Sequence, residues 1–241
     1  MDDNTCVAGV LGGLGPAATI DFMRRVLELS DAATEQQHVR LLVDQNPGVP
    51  NRQQAILDGG ASPGPVLAAM AAGLERAGAD FLVMPCNTAH AWTADIVAAT
   101  SLPFISIVDA SVDAILDDVT AIGVLETPAC KKAGIYAAAL SEAGRDYLQL
   151  TDAECRRLMD VAYAVKQGDC GGAQARAARS LAAALAGRGA RAIIVACTEL
   201  PLVLDDDDAE VPLVVSTDAL ARTTIAIARG EQPLPAPDDS R

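Results

Sequence analysis

Gly78-Ala79-Asp80-Phe81-Leu82-Val83-Met84-Pro85-Cys86 has a counterpart further along the chain, Gly189-Ala190-Arg191-Ala192-Ile193-Ile194-Val195-Ala196-Cys197, with the cysteine eight residues after the glycine in both. Each is a short apolar run bounded by a glycine, which reads as a strand buried on both faces, as in a parallel sheet. Working outward, Gly9-Val10-Leu11 recurs before the second run as Gly123-Val124-Leu125, and the span from Pro103 to Asp109-Ala110 recurs after it as Pro212 to Asp218-Ala219. Three blocks repeated in one order are the trace of a duplicated unit.

Between these blocks, short apolar runs alternate with longer Ala/Leu-rich stretches. The pattern predicts strands over 5–11, 38–43, 80–85, 103–107, 120–125, 191–196 and 211–215. It predicts helices over 16–30, 62–77, 88–99, 130–144, 152–167, 172–187 and 216–229. Pro16 suits a first helical turn, and Gly78 and Gly189 sit where helices stop. The fold class expected is α/β: two similar doubly wound, mainly parallel-sheet lobes with a cleft between them. Ligands of open α/β sheets bind beyond the carboxyl ends of the strands, which is where Cys86 and Cys197 fall. A pseudo-twofold relation between the lobes would set the two thiols face to face.

Composition narrows the function classes. The 241 residues suffice for a sizeable core in one domain or two. With 51% hydrophobic residues but only 3% aromatic, that core must be built from Ala, Val, Leu and Ile. The net charge is −14 and the only lysines are Lys131, Lys132 and Lys166, so no basic stripe exists for a nucleic acid to follow. An anionic substrate would need local cations of its own. The run Asp205-Asp206-Asp207-Asp208 lacks the spacing of a calcium loop and reads as a solvated loop. No secretory signal pattern and no membrane-length apolar run occurs, so the cytoplasm is the expected compartment, with no membrane partner. The six cysteines, with no Cys-x-x-Cys spacing, are expected as free thiols. Apart from Cys86 and Cys197 they read as small core residues.

Two opposed thiols can do acid–base work on the two faces of one carbon. Racemising an amino acid removes the α-hydrogen from one face and returns a proton to the other, so the minimum is one thiolate and one thiol exchanging roles. Proton transfer by a positioned group contributes about 10²–10⁴-fold, and the remainder must come from donors that stabilise the developing carbanion. Asn87, Thr88, Thr127 and Thr198, at or just past predicted strand ends, are short polar candidates for that task. Glu199 is placed to support Cys197 electrostatically.

Four motifs carry a resemblance: Gly12-Gly13-Leu14-Gly15-Pro16-Ala17-Ala18-Thr19; Asn46-Pro47 with Pro50-Asn51-Arg52; Pro85-Cys86-Asn87-Thr88-Ala89-His90; and Cys197-Thr198-Glu199-Leu200-Pro201. Along nearly its whole length the chain resembles the aspartate/glutamate racemases, which work without pyridoxal phosphate. The resemblance implies a small acidic amino acid as substrate, no cofactor, no metal and a homodimer. It implies that Cys197 acts on the L-enantiomer and Cys86 on the D-enantiomer, and that Arg52 and Lys166 hold the substrate carboxylates. Gly13 and Asn46 join the substrate-binding set with Asn87, Thr88, Thr127, Thr198 and Glu199. It also implies that the last helix returns to the first lobe, giving lobes of 1–108 plus 217–230 and of 109–216; the composition of the Pro- and Asp-rich residues 231–241 reads as a flexible tail. Two departures stand out: Asn51 occupies a place where the family usually has an acidic residue, and Ala129-Cys130 stands where Gly-Thr is more common.

Rival readings remain open at this level. Gly13-x-Gly15-x-x-Ala18 mimics a dinucleotide fingerprint, but Asp44 comes later than the acidic residue such a site requires. No Walker motif follows the glycines, and Lys166 has no recognisable phosphate cup to suit pyridoxal phosphate. His38 and His90 read as structural or surface residues. The cysteine pair would also serve maleate cis–trans isomerisation by thiol addition, or another racemisation. The non-enzymatic alternative is a two-lobed module that binds a small anion.

Overall fold

The computed structural model describes residues 6–235. The first half runs β1 (Ala8–Gly12), α1 (Pro16–Leu29), β2 (Leu41–Gln45), α2 (Arg52–Leu57), α3 (Gly64–Arg76), β3 (Phe81–Val83), α4 (Thr93–Val97), β4 (Phe104–Ile105) and α5 (Ile107–Asp113). The second runs β5 (Ala121–Leu125), α6 (Pro128–Ala133), α7 (Ile135–Glu142), β6 (Asp146–Gln149), α8 (Asp152–Lys166), α9 (Gly172–Gly187), β7 (Ala192–Val195), β8 (Leu213–Val215) and α10 (Ser216–Ala228). Two four-stranded sheets result, ordered β2-β1-β3-β4 and β6-β5-β7-β8, with every pairing parallel. The two strand orders are the same order twice, as duplication requires.

Strand alternation explains the layering, because successive side chains point to opposite faces. Ala8, Val10, Phe81 and Val83 from one sheet share a cluster with Ile122, Val124, Ala192 and Ile194 from the other. The opposite faces differ: Leu11, Leu82 and Met84 pack with Leu67, Met70 and Leu74 of α3, while Leu125, Ile193 and Val195 pack with Leu158 of α8 and Leu181 and Leu185 of α9. Cys86 continues the Leu82–Met84 parity and Cys197 the Ile193–Val195 parity. The two thiols thus occupy equivalent places past equivalent strands.

The repeat extends to packing detail. A Cβ on Gly9 would meet Leu82 Cδ2 at 2.7 Å, Ala79 Cβ at 2.9 Å and Leu74 Cβ at 3.3 Å; a Cβ on Gly123 would meet Leu185 Cβ at 3.0 Å, Ala190 Cβ at 3.1 Å and Ile193 Cγ1 at 3.2 Å. In both halves the central strand uses glycine so that a helix end and the neighbouring strand can close over it. The helices that follow the last strand of each half, α5 and α10, pack against one another, and α10 also packs on α1. Arg25 of α1 pairs with Asp218 of α10, and Cys6 N–H donates to the Ala228 carbonyl at 2.9 Å.

Several elements differ from expectation. β6 was not anticipated, because Asp146-Tyr147-Leu148-Gln149 is an edge strand with exposed ends and carries little apolar signal. The helix expected over 130–144 breaks into α6 and α7 at Gly134, whose φ of 69° ends the first segment. Residues 88–99 form a 3-10 turn, Thr88–Trp92, before the short α4. α2 and α5 are helices where none was expected, α5 taking Ile107 from the strand expected over 103–107, and each is started by a side-chain cap: Asn51 Oδ1 accepts from Gln53 and Gln54 N–H, and Ser106 Oγ from Val108 and Asp109 N–H. The acidic run forms a 3-10 turn in which Asp208 pairs with Arg179 at 2.6 Å. Residue 5 of the first expected strand and residues 236–241 of the expected tail lie outside the described residues. Among the described residues no helix is long and apolar enough to cross a membrane.

Candidate active site

Both central strands of the repeat end in one cleft. Cys86 (7% exposed) and Cys197 (3% exposed) line it together, with Thr88 and Asn87 following one and Thr198 and Glu199 the other. All described cysteines are free thiols. Arg52, Thr127 and Lys166 complete the polar wall, so the structure gathers nearly every residue singled out in the sequence. Gly13 and Asn46 are different: neither lines the cleft. Gly13 sits at φ 90°, and a Cβ there would lie 2.4 Å from the Asn46 carbonyl carbon, so glycine lets the ends of β1 and β2 lie together, fastened where Asn46 N–H donates to the Gly12 carbonyl at 3.2 Å.

Arg52 is held by backbone carbonyls. Its Nη2 donates to the Leu14 carbonyl at 2.6 Å and its Nη1 to the carbonyls of Val49 (3.2 Å) and Pro50 (3.0 Å). Backbone carbonyls therefore hold the guanidinium where an acidic neighbour is missing, and Asn51 serves as the α2 cap instead. The five-donor fork still leaves Nε–H and one Nη2 hydrogen for a ligand.

On the opposite side three groups are coupled through one carboxylate. Glu199 Oε2 accepts from the Cys197 thiol and from the Thr198 hydroxyl, each at 3.4 Å, and Glu199 Oε1 lies 3.4 Å from Lys166 Nζ. Burial first, and then the Glu199 charge, push the Cys197 thiol well up. It rests as a thiol that donates to Glu199. Burial alone would lower Lys166, but the Glu199 carboxylate, the largest of the opposing influences, leaves the ammonium raised. Lys166 also lies over the Tyr163 ring, 5.7 Å from its centroid. Gly15 lies beside this pair: a Cβ there would make ordinary contact with Glu199 Oε1 at 3.4 Å and Lys166 Cε at 3.8 Å.

Sequence reasoning did not single out the residues that hold the site in shape, although it read His90 as structural or surface. His90 Nε2 accepts from Ile107 N–H at 3.0 Å, so the ring proton is on Nδ1, which donates to the Cys86 carbonyl at 2.9 Å. Burial lowers His90 to about 4, and the neutral ring ties the Cys86 segment to the start of α5. Tyr136 OH donates to Asn87 Oδ1 at 2.6 Å while Asn87 Nδ2 donates to Ser216 Oγ at 3.1 Å. The Asn87 amide thus keeps one N–H free. Gln53 joins the halves: its Nε2 donates to Thr127 Oγ1 at 2.9 Å and its Oε1 accepts from Ala129 N–H at 3.1 Å. Thr127 Oγ1 lies 3.1 Å from Thr88 Oγ1. None of these long-range partners leaves a spacing signal in the sequence, although His90 lies within a quoted motif.

Cys130 is fully buried in the core shared by the two sheets, and burial followed by the Glu126 charge pushes its thiol far up. Among the described residues no group of three or more His, Cys, Asp or Glu is arranged to hold a metal ion.

A two-lobed α/β protein with paired strand-end thiols in a cationic cleft is the class that fold and site define. The profile of the Asp/Glu/hydantoin racemase family matches residues 11–224, and the chain belongs to that family. It is an isomerase, an amino-acid racemase. It is 27% identical over 231 residues to the broad specificity amino-acid racemase RacX of Bacillus subtilis (strain 168), covering 90% of this chain and 96% of that one. Its structure superposes on Picrophilus torridus aspartate racemase with a TM-score of 0.80 at 27% identity, covering 92% of this chain and 94% of the other. Glutamate racemase from Francisella tularensis, solved with D-glutamate, shares the fold at a TM-score of 0.66 and 15% identity, over 98% of this chain and 86% of that one.

Proposed function

We propose that this racemase interconverts the enantiomers of an acidic amino acid, aspartate first and glutamate next, by two-base chemistry at Cys86 and Cys197. The observation that carries the reading is that the repeat-related thiols line one cleft with the cations Arg52 and Lys166. The similarity to an aspartate racemase and to a broad specificity racemase supports it.

In this mechanism Arg52 and Lys166 hold the two carboxylates and place Cα between the thiols. In the D-to-L direction a Cys86 thiolate takes the α-proton of the D-enantiomer as its S–H bond forms and Cα–H breaks, while Cys197, a thiol donating to Glu199, keeps its proton. The carbanion electron pair spreads into the α-carboxylate, where the Thr88 hydroxyl and nearby amides donate to it. Cys197 then gives its proton to the opposite face, yielding the L-enantiomer, a Cys197 thiolate and a Cys86 thiol. The reverse direction begins from that state. No electron is gained or lost, and no cofactor is required. In deuterated water each enantiomer of aspartate should acquire α-deuterium; no label in aspartate or glutamate of either hand would end the proposal.

A further inference from the structure

A second cleft lies where the end of α2, the helix α6 and the start of α8 meet. Leu57 at the end of α2, Pro128 at the start of α6 and Cys155 on α8 give it an apolar floor, and Lys131, Lys132 and Arg156 give it a cationic rim. Gln149 and Asp152 are the other polar groups present, and the volume is about 400 Å³, within the range of small-molecule sites. Two of the three lysines in a chain of charge −14 meet here, and the third, Lys166, is in the thiol cleft. Lys131 Nζ is occupied by the Leu150 carbonyl at 2.8 Å and Asp152 Oδ1 at 3.1 Å. Lys132 Nζ donates to the Ile56 carbonyl at 2.9 Å. Neither Lys132 nor Arg156 has a carboxylate partner among the described residues.

The same three elements build both clefts. α2 begins with Arg52 at the thiols and ends with Leu57 here. α6 is capped by Thr127 at the thiols and presents Lys131 and Lys132 here. α8 opens with Asp152, Cys155 and Arg156 here and closes with Tyr163 and Lys166 at the thiols. Lys132 already spans from α6 to the α2 backbone. A ligand seated between them would bias the distance between α2 and α6, and with it the Gln53–Thr127 link.

We propose that this cleft is an effector site for a small organic anion with an apolar body, its charged end on Lys132 and Arg156 and its body on Leu57, Pro128 and Cys155. A bare inorganic anion would leave the floor uncovered, and a neutral apolar molecule would leave the cations unmatched. The site is separate from the one that binds substrate, so its binding test does not depend on the proposed substrate.

The probe is 8-anilinonaphthalene-1-sulfonate, an aromatic sulfonate, titrated by fluorescence into the full chain. Saturable binding that aspartate does not displace, and a racemisation rate that changes at saturation, are expected. Because a charge-assisted contact is lost, the exposed double variant Lys132→Gln/Arg156→Gln should bind about tenfold or more weakly and lose the rate effect. Leu57→Asp, which sets a like charge on the floor, should do the same. The proposal is overturned by equal probe affinity in wild type and both variants, by displacement with aspartate, by no saturable binding, or by binding that leaves the rate unchanged.

Discussion

Glu199 makes the two thiols unequal. Its carboxylate raises Cys197 through proximity while burial acts in the same direction, so replacing it by glutamine removes one of two causes. The Glu199→Gln variant should give up the Cys197 proton at lower pH. In the proposed D-to-L direction Cys197 is the acid, so the alkaline limb of kcat/KM for the D-enantiomer should move downward; an unmoved limb would show that Glu199 does not govern this thiol. His90 gives a pH effect of another kind. Its folded value of about 4 lies below the ordinary 6.5, so between those values the unfolded chain binds more protons than the folded one. The stability it confers is fully present above 6.5 and is lost as pH falls toward 4. The shift corresponds to about 3 kcal/mol at most. Urea unfolding of wild type should weaken across this window more steeply than that of His90→Asn, and equal slopes would count against a buried neutral ring. Cys86, Cys197, Arg52 and Lys166 were legible as residues because motif and charge single them out. His90, Gln53 and Tyr136 were not, since their roles are contacts with groups 17, 74 and 49 positions away.

At the scale of elements, two glycines with left-handed φ, Gly13 after β1 and Gly78 between α3 and β3, separate conformational strain from close approach. Gly13 has a left-handed φ and the Asn46 backbone against it, whereas Gly78, with φ of 91°, has nothing within 4 Å of a built Cβ. Gly78→Ala should therefore cost about 1 kcal/mol of conformational strain alone. Gly13→Ala should cost more than about 2 kcal/mol, because the β1–β2 fastening must shift as well. Denaturant melts of the two variants compare them directly, and equal losses would mean that the Asn46 approach is slack. The alternation of strands and helices was readable from apolar periodicity, and α1, α8 and α9 fall close to where it puts them. β6 escaped because an edge strand buries too little to be apolar. α5 was within reach: the repeat pairs Pro103–Ala110 with Pro212–Ala219, and the second copy was read as opening a helix while the first was not.

As a whole molecule, the chain is one unit used twice, joined by a core in which β1, β3, β5 and β7 share an apolar cluster. Tyr136, Asn87 and Ser216 add a buried polar tie across it. α1 turns Ile20, Met23 and Leu27 outward at helical spacing. We propose, from the family similarity, that the chain works as a homodimer. Sedimentation should then give about twice the chain mass of 24.8 kDa, and a persistent single-chain mass at working concentration would contradict this. Duplication was legible from three sequence blocks, and it placed the thiols in equivalent positions before any coordinate did. The polar links between the halves were not legible, because they join residues that the repeat does not pair. The most direct test of the central claim compares α-deuterium incorporation into D- and L-aspartate by wild type, Cys86→Ser and Cys197→Ser. Wild type should label both enantiomers, and each variant should lose racemisation by about 10²–10⁴-fold while remaining folded. Full turnover retained by either variant would contradict the two-thiol account.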